Sequence, residues 1–429
     1  MNNIRESRRP RIFYGWYIVI VSFLANCIAA GTGSYVFGLF IKPMTQEFGW
    51  SRSAISGVFA VRMVAMAVAG PIFGRFTDTR HGTRTLMALG GGIGGLGLLS
   101  LAFTTSLGHF YLGYGFIWGL AMAALSGEVV TGTLLSKWFV RMRGRAIGLA
   151  FMGISLGGAI LVPVTVLLIN SFGWRGAWIG LGILSIIVIV PISLLVVHGA
   201  PEDIGLKPDG PSSIKGRPEG ITYAESPQLE EPSLTLRQAT RQPSLWIVVG
   251  CFSLSNLVFG GLLIHIFPYI TDKGYSAGVA GTILFMIGFI GGIVKPAWGL
   301  LGERVQVRYA VMASFLLTSV GIALLVITDH GPLIFLVPVL YGIGGGGLSP
   351  LMMLVWANYV GRQSLGTIRG MFSPLTFIAS GFSPLFGGYI YDTTNSYDIA
   401  YIVGFSGMAI SAFAILLARP PASLRQKSK

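Results

Sequence analysis

The sequence predicts an all-α polytopic membrane protein with about 12 transmembrane helices in two pseudo-symmetric six-helix bundles. The prediction rests on composition, on long uncharged runs and on a loop that occurs twice. Of the 429 residues, 53% are hydrophobic and 11% are charged, and the mean hydropathy is +0.71. Soluble domains carry roughly 25% charged residues, so water is not the main solvent of this chain.

Long apolar runs supply the predicted spans. Residues 86–127 contain no charged side chain, which is enough for two helices of about 20 residues and a turn. Because lipid offers no partner for backbone amides, only helices or closed barrels cross it, and runs that do not alternate exclude a barrel. Hydropathy places the spans near residues 14–40, 53–73, 85–105, 109–136, 145–170, 175–198, 244–270, 278–301, 308–328, 333–358, 367–390 and 398–418.

Residues 199–243 interrupt this pattern. They are rich in Pro and charged residues and have no apolar period, which is typical of a solvated linker. The predicted domains are therefore an N-terminal six-helix bundle at 1–198, a cytoplasmic linker at 199–243, and a C-terminal six-helix bundle with its tail at 244–429. Many of the 61 glycines lie within spans, where small residues allow close helix packing.

The distribution of Lys and Arg predicts the orientation. Of the 30 basic residues, 23 fall on the side of the termini and linker, four on the other side, and three within spans. The positive-inside rule then places both termini in the cytoplasm, in the inner membrane of the cell. Topology and anionic lipid account for the net charge of +14, so nucleic acid is not a predicted partner.

A short loop occurs at matching places in the two halves. Pro71, Gly74 and Asp78 in the first copy have the same spacing as Pro296, Gly299 and Glu303 in the second. Such repeats are typical of transporters built from two related halves, with the binding site where the halves meet. We expect the acids and bases of these loops to pair across helix ends and to gate the protein. The predicted gating residues are Asp78, Arg80, Arg84, Glu303, Arg304, Arg308 and Arg141. A tight turn with solvated charges is the alternative.

These loops resemble the signature loop of the major facilitator superfamily, although one extra residue separates Asp78 from Gly82. Further motifs resemble its bacterial monocarboxylate porter and oxalate/formate antiporter branch. They are Tyr14-Gly15-Trp16, Lys42-Pro43, Phe48-Gly49-Trp50-Ser51-Arg52, Trp138 through Gly148, and Pro384 through Asp392. The resemblance covers nearly the whole chain except the linker and tails. It implies alternating access to a cavity lined by spans one, four, seven and ten.

Four charged residues fall within spans: Arg62, Glu128, Lys295 and Arg369. A charge at the bilayer centre costs at least about 2.5–3.5 kcal/mol on insertion scales, so each needs a reason. Three cations against one acid leave surplus positive charge, and an anionic substrate is its simplest partner. Cation or drug efflux is disfavoured for the same reason.

Lys295 is the predicted substrate anchor. It lies nine residues before Arg304, about 13 Å along a helix, which places it near mid-membrane. The resembling family has Arg-Pro here and binds the substrate carboxylate with the Arg, whereas this chain has Lys295-Pro296. Lys supplies a point charge where Arg supplies a bidentate fork. A structural ion pair is the alternative role.

Two residues are predicted to carry the coupled proton. Two opposing effects act on the Glu128 carboxyl group: desolvation favours its neutral form, and nearby cations favour its ionised form. A fixed salt bridge between Glu128 and Arg62 is an equally favoured role. His265 lies near the outer end of the seventh span, where imidazole can relay a proton, or else serve as an interface residue.

The remaining predictions concern secondary contacts. Tyr341 and Asn256, with Arg62, are predicted to contact the substrate beside Lys295. Arg369, near the start of the eleventh span, is expected to extend to the cytoplasmic surface or to cap a loop.

The leading functional prediction is a secondary transporter that couples uptake of a monocarboxylate such as lactate or pyruvate to a proton, acting as a monomer. An organic anion exchanger of the oxalate/formate type is the alternative, because Arg62 and Lys295 suit two carboxylates. A transporter-like solute receptor is a remote third. The sequence shows no nucleotide-binding loop, no metal-spaced cluster and no catalytic triad, so neither a cofactor, a bound metal nor an enzyme is predicted.

Overall fold

The computed structural model describes residues 12–125, 127, 129–209, 233–329 and 331–421. The predicted proton carrier Glu128 lies outside these residues, as do the middle of the linker and the basic ends of the chain. Within the described residues the N-terminal half contains α1 to α9, the linker contains α10, and the C-terminal half contains α11 to α17.

The helices of the N-terminal half are α1 Gly15–Ala30, α2 Phe37–Phe48, α3 Arg52–Ser56, α4 Val58–Thr77, α5 Gly82–Ser100, α6 Leu107–Phe110, α7 Trp118–Leu125, α8 Thr131–Trp138 and α9 Arg143–Val196. The linker contains α10 Leu236–Thr240. The helices of the C-terminal half are α11 Pro243–Asp272, α12 Ala277–Ile293, α13 Lys295–Arg304, α14 Val307–Ile327, α15 Leu336–Val360, α16 Leu365–Thr394 and α17 Asp398–Ala414.

Several helices are broken within a membrane pass. A π-helical turn, Gly31–Tyr35, joins α1 to α2, and a second, Tyr111–Ile117, joins α6 to α7. The 54 residues of α9 would extend about 81 Å if straight, far more than a bilayer core of about 30 Å. Gly173, at φ 70° and ψ 174°, folds α9 into two passes. Grouped at such breaks, the described helices follow the predicted spans.

Length and hydropathy identify many of these helices as membrane-spanning. Among the described residues, seven continuous helical segments are long and apolar enough to cross a bilayer. The number becomes eight when α12 and α13, bent by 42° at Val294, are counted as one pass. Large apolar side chains cover the outside of the protein, among them Leu195 at 77% exposure and Phe103 at 74%. An apolar surface of this extent requires lipid rather than water as its solvent.

The two halves meet closely at one end of the bundle. We call it the basic end, because its loops are rich in Arg and Lys. There α4 packs on α16, and α13 packs on α9. Gly74 lies against the backbone of Gly366 and Gly370, and Gly144 lies against the backbone of Gly299. The repeated glycines Gly74 and Gly299 therefore serve the same purpose, since each lets a helix of one half approach a helix of the other.

Replacing Gly144 by Val would place a side chain against the backbone of Gly299. We expect the free energy of unfolding to fall by about 1–3 kcal/mol, the usual cost of overpacking. Thermal unfolding of the purified protein measures the change. Gly250→Val is the matched control, because a β-carbon at Gly250 meets nothing within 4 Å. Equal unfolding midpoints for the two variants would contradict a close contact at Gly144.

Candidate functional site: a cavity between the two halves

A cavity of about 770 Å³ lies between the two halves. The N-terminal half contributes Tyr35 and a stretch of α9, and the C-terminal half contributes residues of α11, α12, α13 and α15. In the numbering of the spans these are one, five, seven, eight and ten. Spans one, seven and ten were expected at the cavity, and spans five and eight complete its wall.

Lys295 is the one basic residue among the described residues that line this cavity, and none of these lining residues is acidic. It is the first residue of α13, directly after the 42° bend. Its side chain is buried, and Nζ donates to Ser155 Oγ at 3.0 Å and to the Gly291 carbonyl at 3.2 Å. An ammonium group has three donors, so these two contacts leave one N–H for a ligand.

A short chain of polar groups connects Lys295 to the N-terminal half. Ser155 on α9 accepts the Lys295 hydrogen bond, and the Tyr35 side chain lies beside Ser155. Tyr35 ends the first π-helical turn, and Gly158 makes room for its ring, because a β-carbon there would lie 2.6 Å from it. The polar group at the centre of the cavity is thus shared between the two halves.

Asn256 separates this cavity from a smaller one. The second cavity has a volume of about 160 Å³ and is lined by residues of both halves, including Met66, Thr376 and Ser380. Asn256 and Met352 line both cavities. Asn256, a predicted substrate contact, thus lies where the two cavities meet, and its role in binding stays a prediction.

The other predicted substrate contacts lie elsewhere. Tyr341 is fully buried, against the backbone of Gly321 on α14, and lines neither cavity. Arg62 is buried within the N-terminal half, where it donates to the Gly33 carbonyl and stacks on Phe59 with 4.3 Å between guanidinium and ring centre. It also lines neither cavity, so the geometry gives no support to a substrate contact by Tyr341 or Arg62.

His265 packs within the C-terminal half. A β-carbon at Gly387 would lie 2.6 Å from its ring, and the ring of Tyr397 lies 5.0 Å away between centres. His265 follows Leu263, which lines the cavity, by two residues of α11, about half a helical turn, and does not itself line the cavity. A role of His265 in proton coupling stays a prediction.

The predicted position of the Arg369 side chain is wrong. We expected it to reach the surface at the basic end, but its side chain is only 1% exposed. Its guanidinium lies 5.4 Å from the ring centre of Trp356. Nearby Gly366 and Gly370 hold α16 against α4, so this part of the helix is too deeply packed for Arg369 to extend to water.

Asp78 joins the two halves at the basic end. Its carboxylate accepts from the backbone N–H groups of Gly366 (3.2 Å) and Thr367 (2.7 Å) and from the Thr367 hydroxyl (2.7 Å). These groups begin α16, so Asp78 caps a helix of the opposite half. Lys137 lies 3.2 Å from the same carboxylate and also donates to the Thr77 carbonyl.

Glu303 makes the equivalent contact from the second copy of the repeat. It accepts from the backbone N–H of Arg145 at 2.7 Å, near the start of α9, and its other oxygen pairs with the Arg145 guanidinium at 2.9 Å. Each acid of the repeat therefore caps the first turn of a helix in the other half. An acid at this position is stabilising because it meets unpaired N–H groups and the positive end of the helix dipole.

The bases predicted for the gate have different partners from those we expected. Arg80 lies 3.6 Å from Asp203 in the linker, Arg308 donates to the Leu416 carbonyl, and Arg304 is exposed. The backbone N–H of Arg141 donates to Asp209. Arg84 is half-buried near the start of α5. The basic partners of the two acids are instead Lys137 and Arg145.

The described ends of the linker contact both halves. Asp209 accepts from three successive backbone N–H groups, at residues 140–142, in the N-terminal half. Glu202 pairs with Arg362 of the C-terminal half at 2.6 Å. Leu234 and Ala239 are buried. The linker, expected to be mostly solvated, is thus packed onto the basic end where it is described.

Sequence reasoning missed Ser155, Lys137 and the capping role of Asp78. Ser155 looks like an ordinary small residue in an apolar span, and only the approach of α13 to α9 gives it a function. Lys137 reads as one of many loop cations. One signal was available: Gly366-Thr367 follows a loop in the half-repeat position of Gly144-Arg145.

The comparisons with known proteins agree with this architecture. A family model described as Major Facilitator Superfamily matches residues 21–384 and 292–429. Monocarboxylate transporter 13 of Bos taurus is 24% identical over 411 residues, covering 95% of this chain and 89% of the relative. Monocarboxylate transporter 2 of Homo sapiens is 24% identical over 413 residues, covering 91% and 82%.

Two solved structures show the same fold. The human organic anion transporter MFSD10 (TETRAN) aligns with a TM-score of 0.70 at 16% identity, covering 94% of this chain and 99% of that one. The proton:xylose symporter XylE aligns with a TM-score of 0.70 at 14% identity, covering 94% of each.

Two helical bundles around a shared cavity that is closed at the basic end define a multi-pass membrane transporter, not an enzyme. The chain belongs to the major facilitator superfamily. The predicted fold class is confirmed, and so is the likeness to its monocarboxylate branch, since the curated relatives are monocarboxylate transporters.

Removing either cap should loosen the basic end. We expect Asp78→Asn and Glu303→Gln each to raise the labelling rate of Ala159→Cys from the basic side roughly fivefold, since a helix cap is worth about 1 kcal/mol. Ala159 lines the cavity. A membrane-impermeant thiol reagent on oriented proteoliposomes measures the rate, with Cys27 and Cys251 replaced by Ala.

Asp398→Asn is the control for this experiment. Asp398 accepts from Tyr269 within the C-terminal half, so its loss leaves the contact between the halves intact. Labelling rates that rise equally in all three variants would argue against a gate at Asp78 and Glu303.

Proposed function

We propose that this protein is a secondary active transporter of small organic anions that works by alternating access and couples a monocarboxylate to a proton. The observation that carries the proposal is Lys295, a buried ammonium group at the boundary of the two halves. The described residues that line its cavity include no carboxylate to neutralise it. A carboxylate ligand would supply the missing charge.

The contacts of Lys295 favour a single carboxylate. Its remaining donor, with the Ser155 and Tyr35 hydroxyl groups beside it, offers three polar groups at one place. The rest of the lining is largely apolar, which suits an anion with one charged end. The names of the relatives point to the same substrate class, of which lactate and pyruvate are simple members.

Alternating access follows from where the halves touch. In this conformation the contacts of α4 with α16 and of α9 with α13 close the basic end. The carboxylates of Asp78 and Glu303, which cap α16 and α9, stabilise these contacts. Lys295 links the halves through Ser155, so a bound carboxylate acts on both. Opening requires the caps to break and the halves to rock around the site.

We place the basic end in the cytoplasm, because the positive-inside rule applies to the 23 basic residues on that side. The membrane is then the inner membrane of the cell. We assign the proton to Glu128 or His265. The two are separated by measuring uptake driven by an inward proton gradient in Glu128→Gln and His265→Asn: the variant that loses proton-driven accumulation but keeps exchange identifies the carrier.

Exchange of organic anions of the oxalate/formate type is less well supported. That alternative required Arg62 and Lys295 to face one substrate, and Arg62 lies inside the N-terminal half, away from both described cavities.

Lys295→Ala should reduce uptake of every transported monocarboxylate at least tenfold, because truncating one partner of a buried charge pair costs about 2–5 kcal/mol. Labelled-acid uptake into proteoliposomes with an inward proton gradient measures the effect. Lys295→Arg, which keeps the charge, should retain part of the uptake.

Lys273→Ala is the matched control, because Lys273 is bound to carbonyl groups and to Asp329 at the opposite end of the bundle. Should Lys295→Ala transport as fast as Lys273→Ala, or should no monocarboxylate accumulate in the unmodified protein, the proposed function is wrong.

A further inference from the structure

One wall of the cavity carries a stripe of aromatic rings and glycines on α12. Phe285, Gly288, Phe289 and Gly292 all line the cavity. Residues three and four positions apart share one face of a helix, so these four form a continuous surface along α12. The stripe ends two residues before the bend that precedes Lys295.

The two rings of this stripe are only partly covered by the rest of the protein. Phe285 is 65% exposed and Phe289 is 48% exposed. Their rings are stacked on each other, with 5.6 Å between centres and an angle of 15° between planes. Covering exposed apolar area is favourable, and aromatic pairs gain further from stacked or edge-to-face contact. A flat apolar group fits this surface, whereas a small hydrophilic acid leaves it uncovered.

Gly288 leaves free space between the rings. A β-carbon at Gly288 would meet nothing within 4 Å, whereas one at Gly292 would lie 2.8 Å from Ser155 and one at Gly291 3.3 Å from the Gly342 carbonyl. Helix packing therefore explains Gly291 and Gly292 but not Gly288. What a glycine provides at position 288 is room in the cavity.

The distance from the aromatic stripe to Lys295 matches a short alkyl chain between a ring and a carboxylate. Phe289 precedes Lys295 by six residues, about 9 Å along a helix. The cavity volume of about 770 Å³ lies within the range of roughly 300–1,000 Å³ typical of pockets for drug-sized ligands. Leu263, Leu284 and Phe252 complete the apolar lining.

We propose that the preferred substrates are arylalkyl monocarboxylates, with the carboxylate on Lys295 and the ring against Phe285 and Phe289, over Gly288. This inference rests on the proposed function and names the substrate class of the same site. Gly288 is then the residue that sets the size of the accepted tail.

The test compares two acids that differ only by a phenyl ring, 3-phenylpropionate and propionate. In the unmodified protein we expect 3-phenylpropionate to be taken up with a half-saturation concentration roughly tenfold lower, the gain of one aromatic contact with the covered apolar area. Gly288→Leu fills the space between the rings and should lower this preference about tenfold. Phe289→Ala should lower it in the same direction without adding bulk.

Gly281→Leu is the matched control. Gly281 lies seven residues earlier on α12, a β-carbon there also meets nothing within 4 Å, and it does not line the cavity. We expect its preference for 3-phenylpropionate to equal that of the unmodified protein.

The outcomes distinguish this inference from the proposed function. Lys295-dependent uptake of propionate with no preference for 3-phenylpropionate, or a preference that Gly288→Leu and Phe289→Ala both leave unchanged, would overturn the inference and leave the proposed function standing. Uptake of no monocarboxylate at all, or uptake that survives Lys295→Ala, would overturn both, whereas uptake of lactate or pyruvate but of neither test acid would overturn only the inference.

Discussion

The closed basic end depends on one interaction that occurs twice: a carboxylate of one half caps the first turn of a helix in the other half. Asp78 caps α16, and Glu303 caps α9. Each cap is worth about 1 kcal/mol, and each acts at a place where glycine lets the two backbones touch. Because the caps are modest in strength and lie at the rim, they can hold the halves together and still be broken in every transport cycle.

The cap at Glu303 and the cation at Lys295 belong to the same helix. α13 begins at Lys295 and ends at Arg304, so eight residues, about 12 Å, separate the gate from the cation. On the facing helix α9, Arg145 meets Glu303 and Ser155 meets Lys295, ten residues or about 15 Å apart. Two antiparallel helices in close contact bring both pairs together. A ligand at one pair therefore acts on a rigid element that also carries the other.

Much of this arrangement is readable from the sequence. The uncharged runs predict the helices, because lipid leaves the backbone no other choice, and the repeated Pro-Gly-acid spacing predicts where the halves meet. The single lysine within the eighth span predicts the charged centre of the cavity. These features depend on local composition or on spacing, which a single sequence displays.

What the sequence does not display is which residue faces which. The acids of the repeat looked like partners for Arg80 and Arg308, whereas they cap helices and pair with Lys137 and Arg145. Arg62 and Lys295 were both predicted to contact the substrate. The π-helical turn at Gly31–Tyr35 presents the Gly33 carbonyl to Arg62 and directs Tyr35 toward Ser155. Such choices depend on helix rotation, which the apolar pattern of a membrane span barely constrains.

The packing of α9 against α13 also supports the proposed link between substrate binding and gating. Gly148 lies against the backbone of Lys295 and Pro296, with a β-carbon there only 2.7 Å from the Lys295 carbonyl. The backbone of Lys295 thus packs against α9, and its side chain donates a hydrogen bond to Ser155 of α9. In the proposed function, a carboxylate that accepts from Lys295 enters the contact between the halves itself, so one ammonium group would both bind the substrate and link the two halves.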